Sequence, residues 1–367
     1  MKKIKLSVGT SFEIENLDLF NELNKKYNET CVYEVYGSMQ SDPLGSVRER
    51  YRLPKLSFDE LATYVIKAKE YGIELNYTMN SLLIDQVYLE ENHKEIDTFL
   101  GNLKDIGVVN LTIASPLLFY YIKQSFPDFK LQISTVTNVL SIQQARYWNA
   151  IGASRIILSE WVTRKFKLLK NIRLAVDCEL ELLANEYCVS FCSDRSCHYI
   201  IQSMTNRENK AIEYKHLDKF RYVTKYPYSI CFPYMCRDGI HNLNSNWIRP
   251  EDLKYYSSIG YDIFKIVGRT YPKQTVKLIV EAYMKQRYDG NFYDLGPFYS
   301  SKENKEKNKS IFSGLYIDNR NLDGFIKYII DKDIHCDEQC GIDCFYCKEF
   351  FEQIMEKQLL SEKSNIE

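Results

Sequence analysis

The strongest constraint on the fold is a grammar that repeats along the chain: a short β-rich run, an amphipathic stretch, a glycine, then the next run. The runs are Ile4–Val8, Val32–Val35, Glu74–Met79, Asn110–Ala114, Lys130–Ser134, Arg155–Leu158, Glu179–Ala184 and Ile263–Val267. Between them apolar residues recur at helical spacing, as in Phe58, Leu61, Ala62, Val65 and Ala68, with Gly72 where a helix stops in left-handed geometry. Gly107, Gly152 and Gly260 hold the same place in later units. Eight runs with mostly helical connections imply a parallel sheet with right-handed crossovers, and eight strands close a (β/α)8 barrel. An open doubly wound sheet usually carries a glycine-rich phosphate loop after its first strand. Here Val8-Gly9-Thr10-Ser11-Phe12 offers a single glycine, so the sequence predicts an α/β TIM-type barrel.

One connection breaks the rhythm. Residues 185–262, between the seventh and eighth runs, form a long insertion, with cysteines concentrated in 185–250. We read residues 1–290 as the barrel domain and 291–367 as a polar linker (Ser300 to Lys309), a small Cys-rich extension and a charged tail, Glu356–Glu367, expected to be loose. The 48 basic and 49 acidic residues give a net charge of −1, which does not suit a globally basic nucleic-acid binder but leaves room for a local patch. There is no signal-peptide pattern at the start and no uncharged apolar run of about 18 residues, so we expect a cytoplasmic protein without a membrane span.

In a reducing compartment, clustered cysteines more often hold metal or do redox chemistry than form disulfides. Of the 11 cysteines, five lie between Cys188 and Cys236 and four between Cys336 and Cys347. Cys31 and Cys178 adjoin strands and read as core residues. Cys188 and Cys192 follow the seventh strand directly, at the barrel end where βα loops carry function; Cys197, Cys231 and Cys236 follow in the same excursion. Four thiolates from this group suit tetrahedral zinc or an iron–sulfur cluster, and spacing alone does not choose. Cys336, Cys340, Cys344 and Cys347 form a second site, for zinc or a second cluster, either separate from the first or folded back onto it.

Other residues point to a ligand. Lys265 alternates with Ile263 and Val267 and should face the barrel interior near its mouth. Arg269 follows at the end of that strand, where barrels often bind phosphate or carboxylate. His198 adjoins the cysteines as a ligand or proton carrier, and Arg48, Arg50 and Arg52 with Tyr51 form a basic lip after the second strand, or a plain solvated loop.

The run Trp247-Ile248-Arg249-Pro250-Glu251-Asp252-Leu253, followed by Gly260-Tyr261-Asp262-Ile263-Phe264-Lys265-Ile266-Val267-Gly268-Arg269, resembles the "DL…aGvd.fKIEGR" stretch of the collagenase-like peptidase U32 family. Ile133 to Val139 and Gly152 to Glu160 are similar to its "aStq.nv" and "Ga.rvvLsrE" segments, and Glu181 to Cys188 stands at its "E.f.hGalC" signature. The resemblance spans about residues 1–290 in order. It implies a barrel-like catalytic domain with an oxygen-sensitive 4Fe-4S cluster on four cysteines. Cys188 matches the first ligand and Cys192 the second, with the third and fourth drawn from Cys197, Cys231 and Cys236. The chain departs from the pattern in having three residues between its first two cysteines where the signature has about six, no "GalC" glycine, and Val267 for the glutamate of "KIEGR". This marks a divergent branch.

The family is named for peptidases, yet several relatives support oxygen-independent hydroxylation of RNA nucleosides or a quinone precursor. The resemblance therefore implies an iron–sulfur enzyme of the hydroxylation type acting on an RNA, peptide or small molecule. The alternatives are a collagenase-like peptidase, or an accessory subunit with a structural cluster that works with a protein partner. The sequence contains no His-Glu-x-x-His and no Gly-x-Ser-x-Gly, the motifs a zinc or serine hydrolase would carry.

Overall fold

Eight parallel strands pair in sequence order and the last pairs with the first, closing the predicted barrel. The structure is a computed structural model and describes residues 3–206, 231, 235, 240–296 and 316–364. The strands are β1 (Ile4–Gly9), β2 (Thr30–Gly37), β3 (Glu74–Met79), β4 (Asn110–Ile113), β5 (Lys130–Ile133), β6 (Arg155–Ile157), β7 (Glu179–Leu183) and β8 (Ile263–Ile266). The helices between and after them are α1 (Ile14–Lys26), α2 (Phe58–Glu70), α3 (Gln86–Asp105), α4 (Pro116–Ser125), α5 (Ile142–Ala150), α6 (Phe166–Ala175), α7 (Arg195–Met204), α8 (Ile240–Asn244), α9 (Leu253–Ser257), α10 (Lys273–Lys285), α11 (Phe325–Asp331) and α12 (Tyr346–Ser364).

Local chemistry starts and stops these helices. Ser57 and Glu60 form a reciprocal capping box on α2, and Ser115 caps α4 with Pro116 in its first turn. Gly72, Gly107, Gly152 and Gly260 all take left-handed φ, from 68° to 96°, ahead of β3, β4, β6 and β8 as the repeated grammar requires.

Strand alternation divides the interior in two. Outward residues such as Leu6, Leu75, Leu111, Leu131, Ile156, Leu182 and Phe264 pack against the helices as one continuous apolar core. Inward residues are mostly polar. The alternation slips once: β1 pairs Leu6 with Val32 but Ser7 with Glu34, leaving Tyr33 as an extra residue on β2.

Phe325, Ile326, Ile329 and Ile354 of the C-terminal segment join the same apolar core as the barrel. Trp247 lies 4.5 Å from Phe292 and 5.8 Å from Phe325, ring to ring, and Phe325 lies 5.0 Å from Phe350. Buried Arg249 ties the same parts by charge, donating to Asp252 at 3.2 Å and Asp323 at 2.8 Å. Helix α12 keeps regular backbone through Ser364, into the stretch whose composition reads as a loose tail. The polar linker, 297–315, lies outside the described residues.

Candidate functional site

Each of the eight strands sends at least one buried polar side chain into the lumen, among them Ser7, Glu34, Asn76, Thr112, Gln132, Arg155, Glu181 and Lys265. Branched apolar layers are the usual filling of such a barrel; here the filling is a bonded polar network. Arg155 is its hub, with Nη1 3.0 Å from both Glu34 oxygens and 3.2 Å from Glu181 Oε2. Gln132 and Asn76 bond to each other and to Glu34, Ser7 donates to Glu34, and Thr112 donates to Asn76. Burial raises the Glu34 carboxyl, but Arg155 and Lys265 outweigh it and hold the group below its ordinary range. Burial leaves Glu181 above its range and Lys265 below its own, against the attraction between the two.

Above this floor, at the C-terminal ends of the strands, is a cavity enclosing about 540 Å³ of unoccupied space, part of it open to solvent. Tyr36, Arg48, Asn80, Ser134, Glu186, Tyr199, Lys265 and Arg269 supply its polar lining, and Ile157, Leu183 and Val267 form an apolar patch. Lys265 points inward as alternation on β8 requires. Its Nζ stands 3.5 Å from the Tyr36 ring centroid and 3.5 Å from Glu181 Oε1, and makes no hydrogen bond among the described residues. Arg269 approaches the same ring, 5.6 Å away, and its Nη1 donates to Ser38 Oγ at 3.4 Å. Burial, together with neighbouring Arg48, lowers the Arg269 guanidinium to about 10, so an anion here would relieve a crowded, poorly solvated positive field. Gly9 makes room for Arg269: a Cβ there would lie 2.8 Å from Arg269 Cγ and 2.9 Å from its backbone nitrogen.

The loop after β7 begins at this wall. Glu186 lines the cavity, and burial pushes its carboxyl up to about 7. Cys188 lies two residues on; burial first, then Glu160 and Glu186, push its thiol well up, while Arg195 opposes them. Cys192 adds a smaller electrostatic push in the same upward direction. Phe191, with φ of 50°, stacks on Trp161 at 4.9 Å between them in sequence. Arg195 locks the start of α7 to the barrel end, pairing with Glu160 at 2.7 Å and donating to Asn138 at 2.8 Å and Ser159 at 3.1 Å.

The remaining sequence candidates are dispersed. Cys197 is exposed on α7 and Cys231 is half-buried, while Cys236 lies outside the described residues. Cys31 and Cys178 are half-buried. His198 is not part of the cavity lining; Gln202 Nε2 lies 2.9 Å from its Nε2, and burial lowers its imidazole to about 4. Of the basic lip, Arg48 lines the cavity, and Tyr51 is 72 % exposed. The loop carrying them is bonded to the end of α7: Asn206 donates to the Ser46 and Arg48 carbonyls, and Arg50 N donates to Thr205. Sequence reasoning missed Tyr36, Glu186, Tyr199, and the Arg195–Glu160 pair. An isolated charge inside an apolar strand was a usable signal for the lumen residues Glu34, Arg155 and Glu181.

A closed parallel barrel whose working surface is a polar, cation-rich cavity at the C-terminal strand ends defines the class of molecule. The chain belongs to peptidase family U32, whose sequence model matches residues 25–314. It is 29% identical, over 95% of its own length and 98% of the relative's, to an uncharacterized protease, MJ1657, of Methanocaldococcus jannaschii. A segment of 120 residues, 32% of this chain and 26% of the relative, is 22% identical to tRNA hydroxylation protein P of Escherichia coli. The solved structure of the U32 peptidase Mk0906 superposes with a TM-score of 0.52 at 15% identity, over 73% of this chain and 93% of that one, and shows the same fold.

The resemblance implies a cluster held by cysteines. Burial pushes the Cys188 thiol well up, and the cationic Arg195 opposes that shift. Among the described residues no three His, Cys, Asp or Glu side chains are gathered as a metal-holding group. The cysteines to which the resemblance points are Cys188 and Cys192, with Cys197, Cys231 and Cys236 as the other candidates.

Proposed function

We propose that this chain is a redox enzyme of the oxygen-independent hydroxylation type, whose cavity binds a small oxygenated carboxylate donor beside a 4Fe-4S cluster. The observation that carries the reading is the convergence of Lys265, Arg269 and Arg48 on one cavity that also holds Glu186 and leads to Cys188. Three cations drawn together in a partly buried cavity favour an anionic ligand.

Cys188 and Cys192, with two of Cys197, Cys231 and Cys236, would hold the cluster. When bound, the cluster supplies electrons and a site for an oxygen-bearing ligand. The chain's own residues do the rest. Lys265 and Arg269 orient the donor's carboxylates, the face of Tyr36 keeps both cations in place, and Glu186 holds or releases a proton at its carboxyl oxygen. Ile157, Leu183 and Val267 exclude water from one side of the cavity. Peptide hydrolysis by a Cys–His pair finds less support: His198 is engaged with Gln202, and the charged groups that bear most on Cys188 are Glu160, Glu186 and Arg195.

The test is purification without oxygen, followed by iron and sulfide analysis and visible and Mössbauer spectra. Iron that disappears in Cys188→Ala and Cys192→Ala supports the reading. Comparing RNA nucleosides from cells with and without the protein then reports on an RNA acceptor. Peptide hydrolysis by iron-free protein overturns the proposal in favour of a peptidase.

A further inference from the structure

Arg164 is an anomaly. It is 3 % exposed, its Nε has no acceptor, and no carboxylate pairs with it among the described residues. Its Nη2 donates to the Ser245 carbonyl, and its guanidinium lies beside the stacked rings of Trp247, at 5.2 Å, and Phe325, at 5.0 Å. A buried cation without a counter-charge is strongly unfavourable. Two side chains of the C-terminal segment on which Arg164 acts electrostatically are Cys336 and Cys347. The Tyr256 hydroxyl nearby is buried and has no hydrogen-bond partner among the described residues.

These two cysteines belong to a compact loop. Cys336, Cys340, Cys344 and Cys347 are spaced by three, three and two residues, each within the range of zinc-binding turns. Backbone bonds already close the turns: Gly341 N donates to the Cys344 carbonyl at 3.0 Å, and Cys344 N to the Gln339 carbonyl at 3.1 Å. Asp337 N donates to Cys340 Sγ at 3.2 Å. Cys347 stands in the first turn of α12, where the helix end favours negative charge. Cys340, Cys344 and Cys347 all act on Cys336 electrostatically. The sulfurs do not form a ready-made cage, so metal binding means gathering side chains on a loop whose backbone is already turned.

We propose that Cys336, Cys340, Cys344 and Cys347 bind one zinc ion, and that this site supplies the missing counter-charge for Arg164. Binding forms four Zn–S bonds and releases the thiol protons to solvent, with no change of oxidation state. The resulting tetrathiolate is net negative, and Arg164 and Lys165 flank it; Lys165 Nζ lies 3.1 Å from Asp337. Zinc is assigned because a closed tetrahedral site leaves no open position, and none of these cysteines lines the cavity.

The zinc site also braces the mouth. Lys165 lies 5.2 Å from the ring of Phe191, the residue before Cys192, and Ser245, whose carbonyl holds Arg164, donates its Oγ to the Cys188 carbonyl at 2.9 Å. Adjacent residues of one loop thus tie the C-terminal thiols to the segment carrying Cys188 and Cys192.

The test counts zinc and iron in full-length protein purified without oxygen, as wild type, Cys188→Ser/Cys192→Ser and Cys344→Ser/Cys347→Ser. One zinc per chain is expected in the first two and none in the third. Iron at the C-terminal cysteines, no zinc in the wild type, or zinc unchanged in the third variant overturns the proposal. The mouth reading fails separately, by retention of iron in the second variant, whereas its loss there supports that reading. If the third variant does not fold, zinc is withdrawn stepwise from folded wild type with a chromogenic chelator while hydrogen exchange is followed at 188–192. Exchange there is expected to rise several-fold as zinc leaves; unchanged exchange overturns the brace.

Discussion

Lys265 Nζ stands 3.5 Å from the centroid of the Tyr36 ring, with Glu181 Oε1 at the same distance. A π face and a carboxylate thus hold this cation at the floor of the cavity, with its Nζ making no hydrogen bond among the described residues. An ammonium so placed is ready to receive an anionic oxygen from above.

Replacing that ammonium separates ligand binding from stability. Lys265→Met leaves Glu181 still paired to Arg155, so the cost to folding should be about 1–3 kcal/mol, while carboxylate affinity should fall about tenfold or more. Urea unfolding and calorimetric titration with a panel of small dicarboxylates measure the two. Unchanged carboxylate binding would remove Lys265 from the site.

Arg155 carries more of the fold. Arg155→Met strands Glu34 and Glu181 in the lumen, each fully buried, and should cost about 3–5 kcal/mol. Glu179→Gln, which removes only a half-exposed rim partner of the same arginine, should cost about 1 kcal/mol or less. Equal effects in denaturant titrations would contradict the hub assignment.

Gly9→Ala tests the seat of Arg269. The new methyl meets both the side chain and the backbone of Arg269, so we expect about 1–3 kcal/mol of destabilisation and a displaced guanidinium. Weaker carboxylate binding that Arg269→Ala does not worsen further in the double variant is the expected signature.

Asp42 gives stability a pH dependence. Leu44 N donates to its carboxylate at 2.8 Å, yet burial pushes the carboxyl up to about 7. Because the folded value lies above the unfolded one, the contribution is fully present below the unfolded value and is lost as pH rises through about 7. The stability of wild type relative to Asp42→Asn should therefore fall by a few kcal/mol between about pH 4 and about pH 8. A pH-independent difference in urea midpoints would refute this.

Much of the fold was legible because its signals are local. Strand alternation, helical spacing and the glycine stops located all eight strands and the long excursion after β7. The candidate site was legible in part. Lys265 and Arg269 follow from their place on the last strand, and Cys188 and Cys192 from theirs after β7. Arg48 was named as part of the basic lip, but Tyr36, Glu186 and Tyr199 were not legible, since they reach one cavity from separate loops and elements and no local pattern joins them. Glu34 is harder still: the extra residue at Tyr33 breaks the alternation that would have assigned its face.

The sequence by itself determined eight strands, their helical connectors and a concentration of cysteines after β7, because periodicity and backbone stops act over a few residues. Only the closed barrel decided which charges meet. Arg155 and Glu34 lie 121 positions apart and come together because alternate residues of every strand converge on one axis. Arg164 reads in the sequence as an ordinary loop arginine. Packing of the C-terminal helices against Trp247 buries it, and burial turns an unremarked cation into a demand for thiolate charge.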